Sequence, residues 1–403
     1  MGANKRTDGY KTYGFLQPGA DYTVFEFPDP PDSWVKPYVV PVSPAQEARV
    51  QEILRGNVVV SLHDHGFMVP TDAAKLVEAN REGRSFTPYE ALSRSGLDCI
   101  WDNLMDGMAG ITSKMGWKWE DVIYDLGMRL CDIAHQSFVI RCEGVQDVLQ
   151  AFNEGKLAFV PVLESAAPIE NELDRLDVLF GLGVRSIGVT YSESNGLGSG
   201  LKEVRDGGLT AFGRAAVERM NKLGIVIDTA HCGDETTLDV VEASEQPVII
   251  SHAGARALWN TTRMKPDNVI QAVARKGGLI GIEAAPHTSL TERHKHHSIE
   301  SVMEHFEYCV RLVGIDHVTF GPDTMYGDHV GVHHVYARQL STTSIHAPAE
   351  TFEEVPFVSG MENPTECFPN IVRWLVSHGY SDRDIAKVIG GNALRVMKAV
   401  WPS

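Results

Sequence analysis

From about residue 49 onward, eight short apolar runs alternate with longer stretches of helical periodicity. The runs are Asn57–His63, Asp98–Asn103, Ala158–Glu164, Arg185–Thr190, Gly224–Asp228, Pro247–Ser251, Gly278–Glu283 and Asp316–Gly321. Several are almost unbroken apolar sequences, the pattern of a parallel strand covered on both faces. Between them, Thr210–Leu223 (TAFGRAAVERMNKL) opens on a threonine cap, carries apolar residues at helical spacing and stops at Gly224. Asp234–Ala243 and Pro266–Lys276 read the same way, and Ser381–Trp401 reads as a closing amphipathic helix capped by Ser381. Eight strands mostly separated by helices predict an α/β fold, a (β/α)8 barrel of the TIM type. The alternative, a doubly wound open sheet, needs a Gly-rich phosphate turn after an early strand, and neither nucleotide motif is there.

Residues 1–48, rich in Pro, Tyr and Asp, read as an N-terminal extension laid over a domain or a neighbouring subunit, and 49–403 as one barrel. The segment Tyr326–Phe357 reads as a long loop after the eighth strand, of the kind that forms a lid or pocket wall. Its His329, His333, His334 and His346 are expected to be solvated, as are His294, His296 and His297 in a charged run.

The chain has 36 basic and 53 acidic residues, a formal net charge of −17. That charge excludes a general nucleic-acid binder, which needs a basic surface, and opposes adhesion to anionic membranes. No run approaches the ~18 apolar residues of a membrane-spanning helix, and the first residues lack the apolar core of a secretory signal. Six scattered cysteines without a CxxC pair fit a reducing cytoplasm. The Pro- and Tyr-rich arm points to a homodimer.

A barrel of this kind carries its active site at the C-terminal ends of the strands. Those ends hold His63-Asp64-His65, Glu164, Tyr191, Asp228 to His231, Ser251-His252, Glu283 and Asp323. Residues i and i+2 of a strand share a face, so His63 and His65 are placed to bind one metal while Asp64 points away. Imidazole and carboxylate donors favour zinc or a related first-row metal. With Glu164, His231 and His252 there are donors for two ions, and Glu164 is the natural bridge. A water held between two dications is a nucleophile near neutral pH. Asp323 would take its proton and return it to the leaving group.

These residues resemble the membrane (renal) dipeptidase family, metallopeptidase family M19, of the amidohydrolase-type barrels. The resemblance covers roughly residues 55–400. It is carried by GGLTAFGRAAVERMNKLGIVIDTAHC, PVIISHAGARAL and TTRMKPDNV within Gly207–Val269, by FGPDT at Phe320–Thr324, and by NPTECFPNIVRWLVSHGYSDRDIAKVIGGNALRV at Asn363–Val396. It implies a binuclear, usually zinc, centre, with His63, His65 and Glu164 serving the first ion, and His231 and His252 the second. It implies that Asp323 is the catalytic carboxylate. Arg263 matches the family's substrate-binding arginine, whose planar fork suits a carboxylate.

The chain departs from the family in two places. The family's His-x-Asp is His63-Asp64-His65 here, which makes the site one negative charge less anionic. The family's substrate-polarising histidine, in a Thr-His-Ser context, is replaced in Thr190-Tyr191-Ser192; the Tyr191 phenol can still donate to an oxyanion. Glu283 adds a carboxylate outside the family pattern, as a substrate contact or as an acceptor behind the site. The leading expectation is a metal-dependent hydrolase that uses a metal-activated water on the amide bond of a small, carboxylate-bearing, dipeptide-like molecule. The alternatives are the same site acting on another C–N, ester or lactone bond or in a decarboxylation, and a non-catalytic metal-binding protein.

Overall fold

The computed structural model describes residue 5 and residues 7–104, 118–339 and 353–402. Among these, nine parallel strands form one sheet: β1 (Val60–Asp64), β2 (Cys99–Asn103), β3 (Val139–Arg141), β4 (Leu157–Leu163), β5 (Ser186–Gly188), β6 (Val226–Asp228), β7 (Val248–Ala253), β8 (Leu279–Ile282) and β9 (Val318–Phe320). Eight of them follow the order β1-β2-β4-β5-β6-β7-β8-β9. The ring is drawn together where the Asp323 N–H donates to the His63 carbonyl at 2.9 Å and the His65 N–H to the Thr324 carbonyl at 2.8 Å. This is the (β/α)8 barrel expected from the alternation of apolar runs and helices. The ninth strand, β3, was not expected. It is three residues long and pairs only with the first part of β4, through Val139↔Leu157 to Arg141↔Phe159.

Val60, Leu62, Trp101, Val160, Val226, Ile249 and Leu279 share one buried cluster with Val396, Val400 and Trp401 of the C-terminal segment. Trp101 and Trp401 stack there with ring centroids 5.8 Å apart. A packed interior of branched side chains is normal for this barrel, and leaves chemistry to the rim. Two register shifts shape that rim, one between Ser61 and Asp64 in β1 and one between Ile250 and Ala253 in β7. A bulge re-aims side chains. In β1, Leu62 packs with the interior cluster while the next residue, His63, still turns into the mouth beside Glu164. At Gly188 in β5, an added Cβ would lie 1.9 Å from the Glu164 carbonyl oxygen. Glycine there lets β5 approach the residue that carries the central carboxylate.

The helix Ala211–Leu223 begins and ends as its sequence demands. The Thr210 hydroxyl accepts from the Gly213 N–H at 2.9 Å, and Gly224 takes the left-handed φ of 81° that ends it. The closing segment is not one regular helix. It runs from Asp382–Ala386 through a wide π-type turn at Lys387–Gly391 into Asn392–Val400. The Thr319 hydroxyl donates to the Val388 carbonyl at 2.7 Å inside that turn, and Gly390 sits where a Cβ would meet the Val58 carbonyl at 2.0 Å. The wide turn thus docks the segment on the base of β1 and β9.

The N-terminal arm lies against its own barrel. Asp132, in the helix Trp119–Ile133, accepts from the Tyr10 hydroxyl at 2.6 Å, the Thr12 hydroxyl at 2.8 Å and the Tyr13 N–H at 2.7 Å. Further along, the Val40 N–H donates to Asn370 at 3.0 Å.

Candidate active site

At the C-terminal rim, three imidazoles converge on one carboxylate oxygen. Glu164 Oε1 lies 3.5 Å from His63 Nε2, 3.0 Å from His231 Nε2 and 3.0 Å from His252 Nε2. A second carboxylate faces them. Asp323 Oδ1 lies 3.1 Å from His65 Nε2 and 3.4 Å from His63 Nε2. Ligand-capable atoms of His63, His65 and Asp323 lie within 4.8 Å of one another, as do those of His63, Glu164 and His252. The six residues predicted from strand ends therefore stand together, and all but Asp323 are classed as buried.

The donor set fits cations. The Nε2 atoms of His231 and His252 are 3.0 Å apart, and both crowd Glu164. Burial holds His252 well below the ordinary imidazole range, with His63 adding to the effect, so its ring is neutral. A neutral imidazole beside a carboxylate presents a lone pair that a metal ion satisfies. His252 is also set in the right tautomer. The Ser251 hydroxyl donates to Asp228, so it accepts at 2.7 Å from His252 Nδ1, leaving the Nε2 lone pair bare. Asp228 and Ser251 stood at strand ends in the sequence, but nothing there gave them this role. Ser251→Ala is expected to weaken metal binding by about 10–100-fold with the fold retained, as a competition titration against a chromophoric chelator will measure.

Asp323 has a φ of 58°, a left-handed conformation that costs a non-glycine residue roughly 1–3 kcal/mol and persists only where neighbours enforce it. Asp64 is one enforcer. As the strand alternation required, it points away from the imidazoles; its Oδ1 accepts from the Thr324 N–H at 2.9 Å and hydroxyl at 2.7 Å. Burial pushes the Asp64 carboxyl up to about 7 against those hydrogen bonds. For Asp323 the balance is opposite. Burial opposes ionisation, but hydrogen bonds with His63 and His65 outweigh it and hold the carboxyl well below its ordinary value.

Tyr191 stacks on His231, with ring centroids 4.2 Å apart and an interplanar angle of 17°. Burial, reinforced by the charges of Glu164 and Asp323, raises its phenol well above the ordinary range, so it is a hydrogen-bond donor. The sequence offers Arg263 as a substrate contact, and Glu283 as either a substrate contact or an acceptor behind the site. The structure joins them: Arg263 Nη2 meets Glu283 Oε2, while Arg263 Nη1 donates to the His252 carbonyl at 2.9 Å. Burial pushes the Glu283 carboxyl up to about 7, against the pull of Arg263.

The histidines after β9 differ from expectation. They fall on the helix His329–Gln339, where His329 is buried and its ring meets that of His333 at 4.7 Å. One helical turn separates them, which puts both on one face. His334 is exposed beside Glu354, as expected, and His346 lies outside the described residues. In the charged run, His294 is half-buried and His296 exposed, but His297 is buried and accepts from the His287 N–H at 2.9 Å. Their neighbours in sequence do not distinguish these cases; tertiary packing does.

A barrel whose mouth gathers four imidazoles and two carboxylates defines the class of metal-centred (β/α)8 proteins. Within that class the chain belongs to the membrane dipeptidase family, peptidase family M19, whose model matches residues 122–336 and 349–401. It is similar to dipeptidase tcpJ of Claviceps purpurea (strain 20.1), 27% identical over 257 residues, which are 63% of this chain and 53% of that protein. The match thus spans about half the length of that relative. Among solved structures, an amidohydrolase from Pseudomonas aeruginosa superposes with a TM-score of 0.72 at 24% identity, covering 87% of this chain and 99% of its own. A metallo peptidase from Rhodobacter sphaeroides, liganded with a phosphinate mimic of the dipeptide L-Ala-D-Ala, superposes with a TM-score of 0.66 at 20% identity, covering 86% and 100%. These two likenesses show a shared fold. No helix among the described residues is long and apolar enough to cross a membrane.

Proposed function

We propose that the chain is a metal-dependent hydrolase that cleaves the amide bond of a small, dipeptide-like substrate. The observation that carries this reading is the convergence of His63, His231 and His252 on Glu164 Oε1, with His65 and Asp323 beside them. His63, His65 and Glu164 would hold one divalent ion, and Glu164, His231 and His252 a second, with zinc favoured by the donors. When bound, such ions supply Lewis-acid charge and lower the pKa of water.

The chain's own residues do the rest. Asp323 accepts a proton from the attacking water and returns it to the leaving nitrogen. The Tyr191 phenol donates to the substrate carbonyl oxygen as negative charge develops on it. Removing such a donor typically costs ~10²–10³ in turnover, so Tyr191→Phe is expected to lower kcat by that factor with metal content unchanged. Steady-state kinetics beside elemental analysis will check it; parental kinetics would reduce Tyr191 to a packing residue.

The six cysteines are all unpaired and five are buried, which supports the reading of a reducing, cytoplasmic compartment. Homodimerisation stays part of the proposal, to be measured by sedimentation. The overall reading is tested by turnover of a mixed dipeptide library by the metal-loaded protein. Metal without hydrolysis of any member would remove the dipeptide substrate.

A further inference from the structure

The wall of the mouth beside β7 and β8 carries a charged pair that the hydrolytic steps above do not use. Arg263 is 1% exposed and Glu283 is 0% exposed. Glu283 Oε2 meets Arg263 Nη2, so the guanidinium charge is already neutralised within the chain. The other oxygen, Oε1, is buried without an aligned hydrogen-bond partner, and the Thr288 hydroxyl beside the carboxylate directs its proton to the Ala285 carbonyl at 2.6 Å. Ligand-capable atoms of Glu283, His252 and Asp323 lie within 4.8 Å of one another, which puts this carboxylate at the reaction mouth.

A buried acceptor left unmade is costly, and an N–H brought by a ligand relieves it. A carboxylate brought to the same place meets Glu283 with no uncompensated positive charge to offset the repulsion. We infer that Arg263 and Glu283 together form a subsite for a substrate end bearing an uncharged or cationic N–H donor, a carboxamide or an ammonium, and that Glu283 turns a free carboxylate away. This rests on the hydrolase reading and narrows its substrate class. It also reverses the expectation that Arg263 alone would take a carboxylate: that guanidinium already has one.

The test is calorimetric titration of the metal-loaded protein with a phosphinate dipeptide mimic in three forms: both ends free, C-terminal carboxamide, and N-acetylated. If the carboxamide is the recognised group, that form binds at least about 10-fold tighter than the free carboxylate. If the ammonium is, N-acetylation weakens binding by at least about 10-fold, while the carboxylate and carboxamide forms bind alike. In both cases Glu283→Gln, which keeps the shape and removes the charge, erases most of the difference. The wild-type comparison stands even where the variant folds poorly. A free-carboxylate form that binds tightest to the wild type, and less well to Glu283→Gln, would overturn the inference and leave the hydrolase reading intact. Equal binding of all three forms would do the same. Failure of every form to bind would overturn the dipeptide-like reading and the inference together.

Discussion

His252→Ala is expected to leave a folded barrel that neither holds its full metal complement nor turns over substrate. His252 reaches both carboxylates, with Nε2 3.0 Å from Glu164 Oε1 and 4.0 Å from Asp323 Oδ2. Its ring also stacks on His63, with centroids 3.6 Å apart. Losing a residue that merely orients a ligand costs about 10–100-fold in metal affinity, so removing the ligand itself should cost more. The fold should survive, because the strand is held by its own ladder, with Ile249↔Leu279 and Ile250↔Ile280 on the β8 side. Metal titration and circular dichroism of the purified variant will check both halves. Unchanged stoichiometry and affinity would remove His252 from the centre.

Asp323→Asn should be the most damaging change that conserves shape. The amide cannot accept a proton from water, and general acid–base assistance is typically worth ~10²–10⁴ in rate. A loss of kcat in that range is expected, with KM moved much less. Asp323 also faces His63 and His65, so the metal content of the variant must be measured alongside its kinetics. If the metal is retained and the rate falls, the carboxylate acts as a base. If the rate falls only in step with lost metal, Asp323 is a ligand and another group moves the proton. The left-handed backbone should tolerate asparagine, which shares aspartate's ease in that region.

Much of this site is legible in the sequence because a barrel reports its chemistry at fixed places. Once eight apolar runs are counted, the residues at or within three positions of each run's end are rim residues, and His63, His65, Glu164, His231, His252 and Asp323 are among them. The relations between side chains are less visible. Nothing in the spacing of Arg263 and Glu283 says that they touch, since they come from different segments that only closure of the barrel makes adjacent. Strand alternation would have sent His63 outward once Leu62 faced in; the register shift in β1 lets both face the interior, and no residue type marks it. β3 is too short for its apolar pattern to stand out. His297 reads as polar because its neighbours are charged or polar, and His329 because its segment reads as a loop, whereas their burial depends on elements folded over them.

The central claim is that the six rim residues form a metal centre on which turnover depends. Elemental analysis of protein loaded with zinc and then desalted, paired with hydrolysis before and after chelation, tests it most directly. About two divalent ions per chain are expected from the two donor groups sharing Glu164. Activity should be lost on chelation, return with added metal, and fail to return in His252→Ala. Protein that retains no stoichiometric metal, yet hydrolyses its substrate unchanged after chelation, would contradict the account.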